Sequence, residues 1–156
     1  MDPIALIPIG KVRSTRTKAA DDNWNAERAH VELDAEQFTS EALTGLAEFS
    51  HVEIAFFMNQ VEAGTIERRA RHPRNNPNWP RVGIFAQRGK NRPNQIGVTV
   101  CKILKVEGLG VYVEGLDAIE GTPVLDIKPW VVEFGPRGAV RQPAWITELM
   151  RGYWQL

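Results

Sequence analysis

The chain has a single cysteine, Cys101, among its 156 residues. One cysteine cannot form an internal disulfide, and it cannot supply the paired thiolates of a typical zinc site. The histidines, His30, His51 and His72, are scattered along the sequence without metal-ligand spacing. We therefore expect no metal centre. Cys101 lies in a strand-like run, where it is expected to be a small buried core residue.

Long apolar runs and an excess of one charge are also lacking. No stretch is long and apolar enough to cross a membrane, and the start of the sequence, residues 1–4, has no basic region typical of a signal peptide. The formal net charge is +0, whereas dedicated nucleic-acid binders are usually basic. The length and the 43% hydrophobic content predict one globular domain over residues 1–156. We expect it to be cytoplasmic and not bound to membranes.

Common nucleotide-binding and nucleophile motifs are missing as well. No GxGxxG dinucleotide-binding loop is present. The spacing from Gly83 to Gly89 and Lys90 is one residue too long for a P-loop, and Asn91 stands where a Ser or Thr would bind magnesium. No serine elbow or Cys-His pairing is present, which argues against covalent catalysis. What remains is a binding pocket built from acids, amides and cations.

The most distinctive stretch is residues 82–100, where two apolar runs flank a cationic loop. Arg88, Lys90 and Arg92 stand close together, and Pro93 restricts the backbone beside them. Like charges repel, so crowding them brings no stability. Arginine suits carboxylate or phosphate groups, and asparagine can read the edge of a base. The loop therefore predicts an anionic ligand, with a solvated surface loop as the alternative.

A second concentration of positive charge precedes and overlaps this loop. Between residues 68 and 92 there is little besides Glu67 to offset the cations, which are Arg68, Arg69, Arg71, Arg74, Arg81, Arg88, Lys90 and Arg92. Such a patch can hold an RNA backbone on a neutral protein, or it can be a solvated surface. Trp79, within the same segment, either stacks on a base or anchors its loop to the protein.

Five segments together resemble one family. Residues 83–86 and 91–97 resemble the signature of the TsaA-like proteins, also called YaeB-like or TrmO-type. Residues 49–51, 72–74 and 116–130 resemble further pieces of it, in the family's order. The resemblance implies a small β-barrel that binds S-adenosylmethionine without a Rossmann domain. It also implies methylation of the exocyclic nitrogen of a threonylcarbamoyl-modified adenosine beside the tRNA anticodon.

The sequence departs from the family pattern at several positions. Gln87 replaces a threonine, Gly89 and Lys90 replace Ser-Pro, Gln95 replaces a proline, and Glu53 stands where an aromatic or aliphatic residue is common. Longer relatives carry an additional C-terminal domain. Cofactor binding remains the expectation, whereas the acceptor is open. The alternatives to tRNA are a small-molecule acceptor, or a non-catalytic protein that binds S-adenosylmethionine or RNA.

The resemblance also implies site residues. Cofactor contacts are expected from Gln87, Arg88, Asn91, Arg92, Asn94, Leu116, Thr122 and His51. Arg88 or Arg92 would meet the cofactor's carboxylate, and His51 either shapes the pocket or is a buried histidine bonded to backbone. RNA contacts are expected from Arg69, Arg71 and Arg74, together with Trp79.

Methyl transfer from a sulfonium needs mainly geometry. The exocyclic nitrogen of adenine is a poor nucleophile, and a carboxylate that accepts its hydrogen would help. The candidates are Asp117 and Asp126, with Lys128 orienting either of them. From the residues alone, the alternative is that Asp126 pairs with Lys128 on the barrel and Asp117 caps a turn. The resemblance favours the catalytic interpretation.

Hydrophobic periodicity predicts a mainly β fold with one or two short helices. The resemblance implies that the strands form a small closed or partly open barrel. Trp24 is expected to cover the core or a ligand, and Gly97 and Gly121 to permit close approach or positive φ. A homodimer is expected from family habit and the aromatic C-terminus. Strands are predicted at 4–12, 28–33, 51–58, 82–86, 96–106, 111–116 and 125–127, the last continuing through 130–134, with a short helix or two turns within 34–49 and a helical tail at about 143–154.

Overall fold

The computed structural model describes residues 1–155, which form eight β-strands and one short α-helix. The strands are β1 (Gly10–Ser14), β2 (Arg28–Leu33), β3 (His51–Phe57), β4 (Ala70–Arg71), β5 (Val82–Gly83), β6 (Ile96–Glu107), β7 (Gly110–Glu114) and β8 (Pro123–Pro129). Six of them close into an antiparallel barrel in the order β1-β2-β7-β6-β3-β8, and β4 pairs with β5 outside it. The mainly β barrel predicted from the sequence is confirmed.

The barrel interior follows from the two-residue alternation of its strands. On β3, Val52, Ile54 and Phe56 are buried, while the residues between them are only partly buried. β2 alternates in the same way, and Cys101 on β6 joins the same apolar cluster. Side chains on alternate positions of a strand point to opposite faces, so each strand gives one row to the core. Cys101 is therefore the buried core residue that the sequence predicts.

Two glycines have the roles expected of them. Gly97 on β6 faces Phe56 on β3, and a Cβ at Gly97 would lie 2.4 Å from the Phe56 ring. Gly121, before β8, has φ +78, a conformation that L side chains rarely adopt. The first glycine permits close packing inside the barrel, and the second permits the turn into β8.

The first predicted strand is wrong in its first half. β1 begins at Gly10 rather than at residue 4, and Ile4, Leu6 and Ile7 are exposed. Pro8 has no N–H to donate, which disfavours a continued ladder at this point. Residues 1–8 therefore add no pairs to the barrel, whereas the Ile9 amide still donates to the Val124 carbonyl (2.8 Å).

Two other strand predictions are too long. β8 ends at Pro129, which again lacks an N–H, and Val132–Phe134 is a 3-10 turn rather than a continuation. Of the run predicted at residues 82–86, only Val82–Gly83 pairs, and Ile84–Ala86 forms a 3-10 turn. The cationic loop is thus entered from a turn and leaves into β6.

The helical predictions are confirmed in outline. The segment 34–49 holds two 3-10 turns, Ser40–Leu43 and Leu46–Glu48, separated by Gly45 at φ +85. Near the C-terminus, helix α1 (Ala144–Leu149) follows Pro143 and runs into a 3-10 turn at Met150–Gly152. Within residues 1–155, no helix has the length and apolar character that crossing a membrane requires.

We expect Gly97→Ala to lower the free energy of unfolding by about 1–3 kcal/mol, because the new methyl group overpacks the core against Phe56. Urea unfolding followed by tryptophan fluorescence measures this. Gly64→Ala is the matched control, since no atom lies within 4 Å of a Cβ there. Equal unfolding midpoints for the two variants would show that the barrel interior is not closely packed at this point.

Candidate active site

One carboxylate, Asp117, has both of its oxygens bonded by hydroxyl groups. Asp117 follows β7 and the fully buried Leu116. The Thr99 hydroxyl, on the inward face of β6, donates to Oδ1, and the Tyr153 hydroxyl donates to Oδ2. Each oxygen keeps a lone pair after accepting one hydrogen bond. Asp117 is therefore a fixed acceptor that can take a further hydrogen.

Tyr153 reaches Asp117 because the C-terminal tail docks on an early loop. The Tyr153 carbonyl accepts a hydrogen bond from the Trp24 amide (2.9 Å), and the Gly152 carbonyl accepts one from the Asn23 amide (3.1 Å). Trp24 is 3% exposed, and the Arg16 guanidinium lies 3.6 Å from the centre of its ring. Trp24 is thus buried, and it anchors the tail that carries Tyr153.

The phenol of Tyr153 is held in its protonated form. Burial raises its pKa strongly, and the negative charge and hydrogen bond of Asp117 act in the same direction. Arg88 and Arg74 oppose this effect weakly, which places both cations near the phenol. Tyr153 is consequently a hydrogen-bond donor to Asp117 and not a base.

Two of the four predicted RNA contacts serve the fold of the free chain. The Arg74 guanidinium forms an ion pair with Asp22 (2.8 Å) and so ties its loop to the early loop beneath the tail. Trp79 is partly buried, and its carbonyl accepts a hydrogen bond from His72 Nδ1 (2.7 Å). This bond uses the backbone of Trp79, so both predicted roles of its ring, base stacking and anchoring, stay open predictions. Arg69, by contrast, is exposed.

Gln87 and Asn91, two of the predicted cofactor contacts, shape the cationic loop. The buried Gln87 amide donates to the carbonyls of Arg71 (3.1 Å) and Val82 (2.9 Å). The buried Asn91 amide donates to Thr65 Oγ1 (2.8 Å) and accepts from the Arg71 guanidinium (3.2 Å). Their side chains hold the loop in place, while the loop's cations remain for a ligand.

Three polar side chains of the loop have unsatisfied binding capacity. Arg88 donates to the Val98 carbonyl and Arg92 to the Gln87 carbonyl, both at 2.9 Å. Within residues 1–155, neither guanidinium forms an ion pair, and Asn94 is exposed. Neutral acceptors thus orient both arginines without neutralising them.

Leu116 and Thr122 are buried, at 0% and 4% exposure. The Thr122 carbonyl accepts a hydrogen bond from the Val12 amide (2.9 Å), so this residue helps to close the barrel. His51 is partly buried, and its Nδ1 is bonded to the Ser50 hydroxyl (2.8 Å) rather than to backbone. Leu116, next to Asp117, and Thr122 are therefore buried parts of the barrel.

Asp126 and Lys128 lie elsewhere, on the outer wall of the barrel. They form an ion pair on the exposed face of β8, opposite Ala55 and Glu53 of β3. The Asp126 carboxylate raises the pKa of Lys128. Asp117 bonds to the inward-facing Thr99, so the barrel wall separates the two carboxylates. The ion pair matches the alternative drawn from the residues alone, whereas Asp117 binds two hydroxyls and does not simply cap a turn.

Two surface grooves are not lined by Asp117. One, of ≈ 510 Å³, is lined by Arg13, His30, Tyr112 and Glu120 among others, but Arg13 is already paired with Glu120 and Glu32. The other, of ≈ 470 Å³, is mainly apolar and has Asp126 at its edge. Within residues 1–155, no group of three or more His, Cys, Asp or Glu side chains is placed to hold a metal ion.

Sequence reasoning missed Thr99 and Tyr153, which complete the Asp117 site. Thr99 had a usable signal, because it is a polar residue at an inward position of β6, in line with Gly97 and Cys101. Tyr153 had none, since its contact with Asp117 spans 36 residues of sequence. Only the docking of the tail brings it there.

We expect Tyr153→Phe to remove a pH-dependent part of the stability. The folded-state pKa of Tyr153 is raised, whereas an unfolded tyrosine loses its proton near pH 10. The extra stability of the wild type is therefore present below about pH 10 and is lost at up to about 1.4 kcal/mol per pH unit above it. Urea unfolding of both proteins between pH 8 and 11 measures the difference. A constant difference across this range would mean that the phenol is not held protonated.

Comparison with known proteins shows which family has a similar sequence. The model of the tRNA-methyltransferase O N-terminal domain matches residues 17–135. Human tRNA (adenine(37)-N6)-methyltransferase is 41% identical over 102 residues, which cover 65% of this chain and 23% of that protein. A probable S-adenosyl-L-methionine-binding protein of Pyrococcus abyssi is 33% identical over 142 residues, 88% of this chain and 74% of that one.

A solved structure agrees. The crystal structure of TrmO from Pseudomonas aeruginosa superposes with a TM-score of 0.71 at 30% identity, covering 90% of this chain and 62% of that one. The chain spans under a quarter of the length of the mammalian relatives it matches. The matched residues 17–135 include the cationic loop, Thr99 and Asp117. The chain belongs to the family of the tRNA-methyltransferase O N-terminal domain.

Proposed function

We propose that this protein transfers a methyl group from S-adenosylmethionine to the exocyclic nitrogen of adenosine 37, the threonylcarbamoyl-modified adenosine beside the tRNA anticodon. The observation that carries the proposal is the family match, which spans both the cationic loop and Asp117. Relatives of human, mouse and Escherichia coli are named tRNA (adenine(37)-N6)-methyltransferase. Names of other relatives specify S-adenosylmethionine.

The residues present suit this cofactor. S-adenosylmethionine supplies an electrophilic methyl group on a sulfonium, and it also carries a carboxylate. Arg88 and Arg92 have fixed guanidinium groups that no carboxylate of residues 1–155 neutralises. Guanidinium and carboxylate form strong, directional hydrogen bonds. The loop thus provides an electrostatic match for the amino-acid end of the cofactor.

Asp117 is the residue that would act on the acceptor. Its carboxylate would accept the hydrogen of the exocyclic amino group. The nitrogen, whose lone pair is delocalised into the ring, thereby regains electron density. Thr99 and Tyr153 prevent the carboxylate from rotating. The gain from such a fixed acceptor comes from orientation as well as from proton transfer.

The RNA backbone would meet the exposed cations of the same region. Five cations before and within the cationic loop are exposed, namely Arg68, Arg69, Arg81, Arg88 and Lys90. Contacts of this kind release counterions, so affinity for tRNA is expected to fall steeply with salt. Arg74 and Trp79 keep their structural contacts in the free protein.

Replacing each candidate carboxylate in turn shows whether methyl transfer depends on Asp117, at the inner site, or on Asp126, on the outer wall of the barrel. We expect Asp117→Asn to lower the rate of methyl transfer to tRNA by about 100-fold or more, because the amide cannot accept a proton. S-adenosylmethionine affinity should remain. Asp126→Asn is the matched control, with a rate near that of the wild type. Incorporation of a labelled methyl group into tRNA, followed by nucleoside mass spectrometry, measures both. The opposite pattern would place the chemistry at Asp126 and Lys128.

A second candidate function is methylation of a small molecule. The observation that favours it is a probable S-adenosyl-L-methionine-binding protein of Methanothermobacter thermautotrophicus, of which this chain covers 96% at 31% identity, and whose name specifies no RNA. Incubation with labelled cofactor and with total tRNA or a tRNA-free metabolite extract separates the two. Label in the extract alone would favour the small acceptor.

We further propose that the protein acts as a homodimer. The outer face of β6 carries apolar side chains that are 37% to 40% exposed, namely Ile96, Val98, Val100 and Leu104. Such a row on one strand face is typical of a surface that a second subunit covers. Arg88 donates to the Val98 carbonyl, so the cationic loop borders this face.

We expect Val100→Glu to separate the subunits, because a carboxylate is costly to desolvate in an apolar interface and Glu53, of the same charge, lies directly opposite on β3. Light scattering coupled to size exclusion should give twice the chain mass of 17.5 kDa for the wild type and 17.5 kDa for the variant. Val140→Glu is the control, since Val140 is 71% exposed and lies outside the barrel strands. A wild-type mass of one chain would contradict the dimer.

A further inference from the structure

Arg71, on β4, has an unusual defect in its hydrogen bonding. Its Nε lies inside the protein, shut off from solvent, and finds no hydrogen-bond acceptor among residues 1–155. A buried donor without a partner destabilises a fold, and the effect is larger when the donor belongs to a charged group. A folded chain is expected to keep such a group only where an ordered water, an ion or a ligand satisfies it.

The rest of this guanidinium is held by neutral groups. Nη1 donates to Asn91 Oδ1 (3.2 Å), and Asn91 is itself fixed by its bond to Thr65 Oγ1 (2.8 Å). Gly89 lies beside Nη2, where a Cβ would be only 3.6 Å from the nitrogen. The orientation of Arg71 is therefore set by the cationic loop, and its charge is not compensated there.

In other arginines of the chain, an ion pair with a carboxylate compensates the charge of the guanidinium. Arg13 pairs with Glu32 and Glu120 at 2.7 and 2.8 Å, and Arg74 pairs with Asp22 at 2.8 Å. The acid close to Arg71 is Glu67, but its carboxylate accepts the backbone amides of Arg68 (2.8 Å) and Arg69 (2.7 Å). These bonds lower the pKa of Glu67, yet Glu67 forms no ion pair with Arg71 among the described residues.

We propose that Arg71, together with Arg88 and Arg92, forms a binding site for an oxyanion. All three guanidinium groups are oriented by neutral acceptors, namely Asn91 Oδ1 and the carbonyls of Val98 and Gln87. A carboxylate or phosphate provides the several acceptor oxygens that such a cluster lacks. This inference rests on the proposed function for its two sources: the amino-acid carboxylate of S-adenosylmethionine and a backbone phosphate of tRNA.

The direct test observes the Nε–H of Arg71 by NMR. Its signal is assigned as the one that disappears in Arg71→Lys, and it is titrated with S-adenosylhomocysteine, with an RNA anticodon stem-loop and with inorganic phosphate. We expect at least one of these probes to shift the Arg71 signal. A signal that none of the three moves, in a folded protein, overturns the inference. Because inorganic phosphate needs no methyltransferase activity, this result is independent of the proposed function.

Affinity measurements identify the source of the oxyanion. If the cofactor supplies it, Arg71→Gln weakens S-adenosylhomocysteine binding by about tenfold or more. Binding of 5′-methylthioadenosine, which lacks the carboxylate, should then stay unchanged. If tRNA supplies it, S-adenosylhomocysteine affinity is unchanged, while stem-loop affinity and its salt dependence both fall.

The matched control is Arg137→Gln, which removes an exposed arginine outside the cationic segment 68–92. Arg71→Lys keeps the charge without the planar fork, so it is expected to fall between the wild type and Arg71→Gln, and it replaces Arg71→Gln if that variant does not fold. Equal effects of the variants at 137 and 71 on every ligand overturn the site. The wild type could methylate no tRNA and still show a shift of the Arg71 signal with S-adenosylhomocysteine or phosphate. This result would contradict the proposed function and support the oxyanion site.

Discussion

The closure of the barrel between β1 and β8 is the constraint on which the rest of the structure depends. The two strands share only two residue pairs, Gly10 with Val124 and Lys11 with Pro123. At Gly10 a Cβ would lie 2.3 Å from the Glu32 carbonyl oxygen, so only glycine lets β1 lie this close to β2 while it also joins β8. In the closed barrel, Thr99 points inward and donates to Asp117, whereas Asp126 points outward.

Charge is distributed very unevenly over this neutral chain. Most ion pairs among residues 1–155 have both partners on barrel strands, either on neighbouring strands, as in Arg13 with Glu32, or within one strand, as in Lys128 with Asp126. The loop cations Arg88 and Arg92 have carbonyl partners instead. A net charge of zero therefore conceals a region whose positive potential is available to a ligand, and such a local field attracts anions regardless of the total.

Much of the fold could be predicted from the sequence because the barrel strands obey a two-residue period, as on β3 with Val52, Ile54 and Phe56. The errors fell where backbone donors decide the outcome, at Pro8 and Pro129. The loop residues were predicted through a resemblance, which names positions but not what each side chain bonds to. Gln87 and Asn91 bond within the protein, and only coordinates could show it. Thr99 and Tyr153 were missed because their partner lies on another element.

The docking of the tail also bears on the order in which the molecule is completed during synthesis. Every barrel strand lies between Gly10 and Pro129, so the barrel can form on the ribosome before helix α1 has emerged. At that stage Asp117 has only the Thr99 hydroxyl as a partner. Its second partner arrives when Gly152 and Tyr153 bind the loop at Asn23 and Trp24. A chain whose barrel has folded before the tail docks therefore still lacks the second hydroxyl bond of Asp117, which Tyr153 supplies.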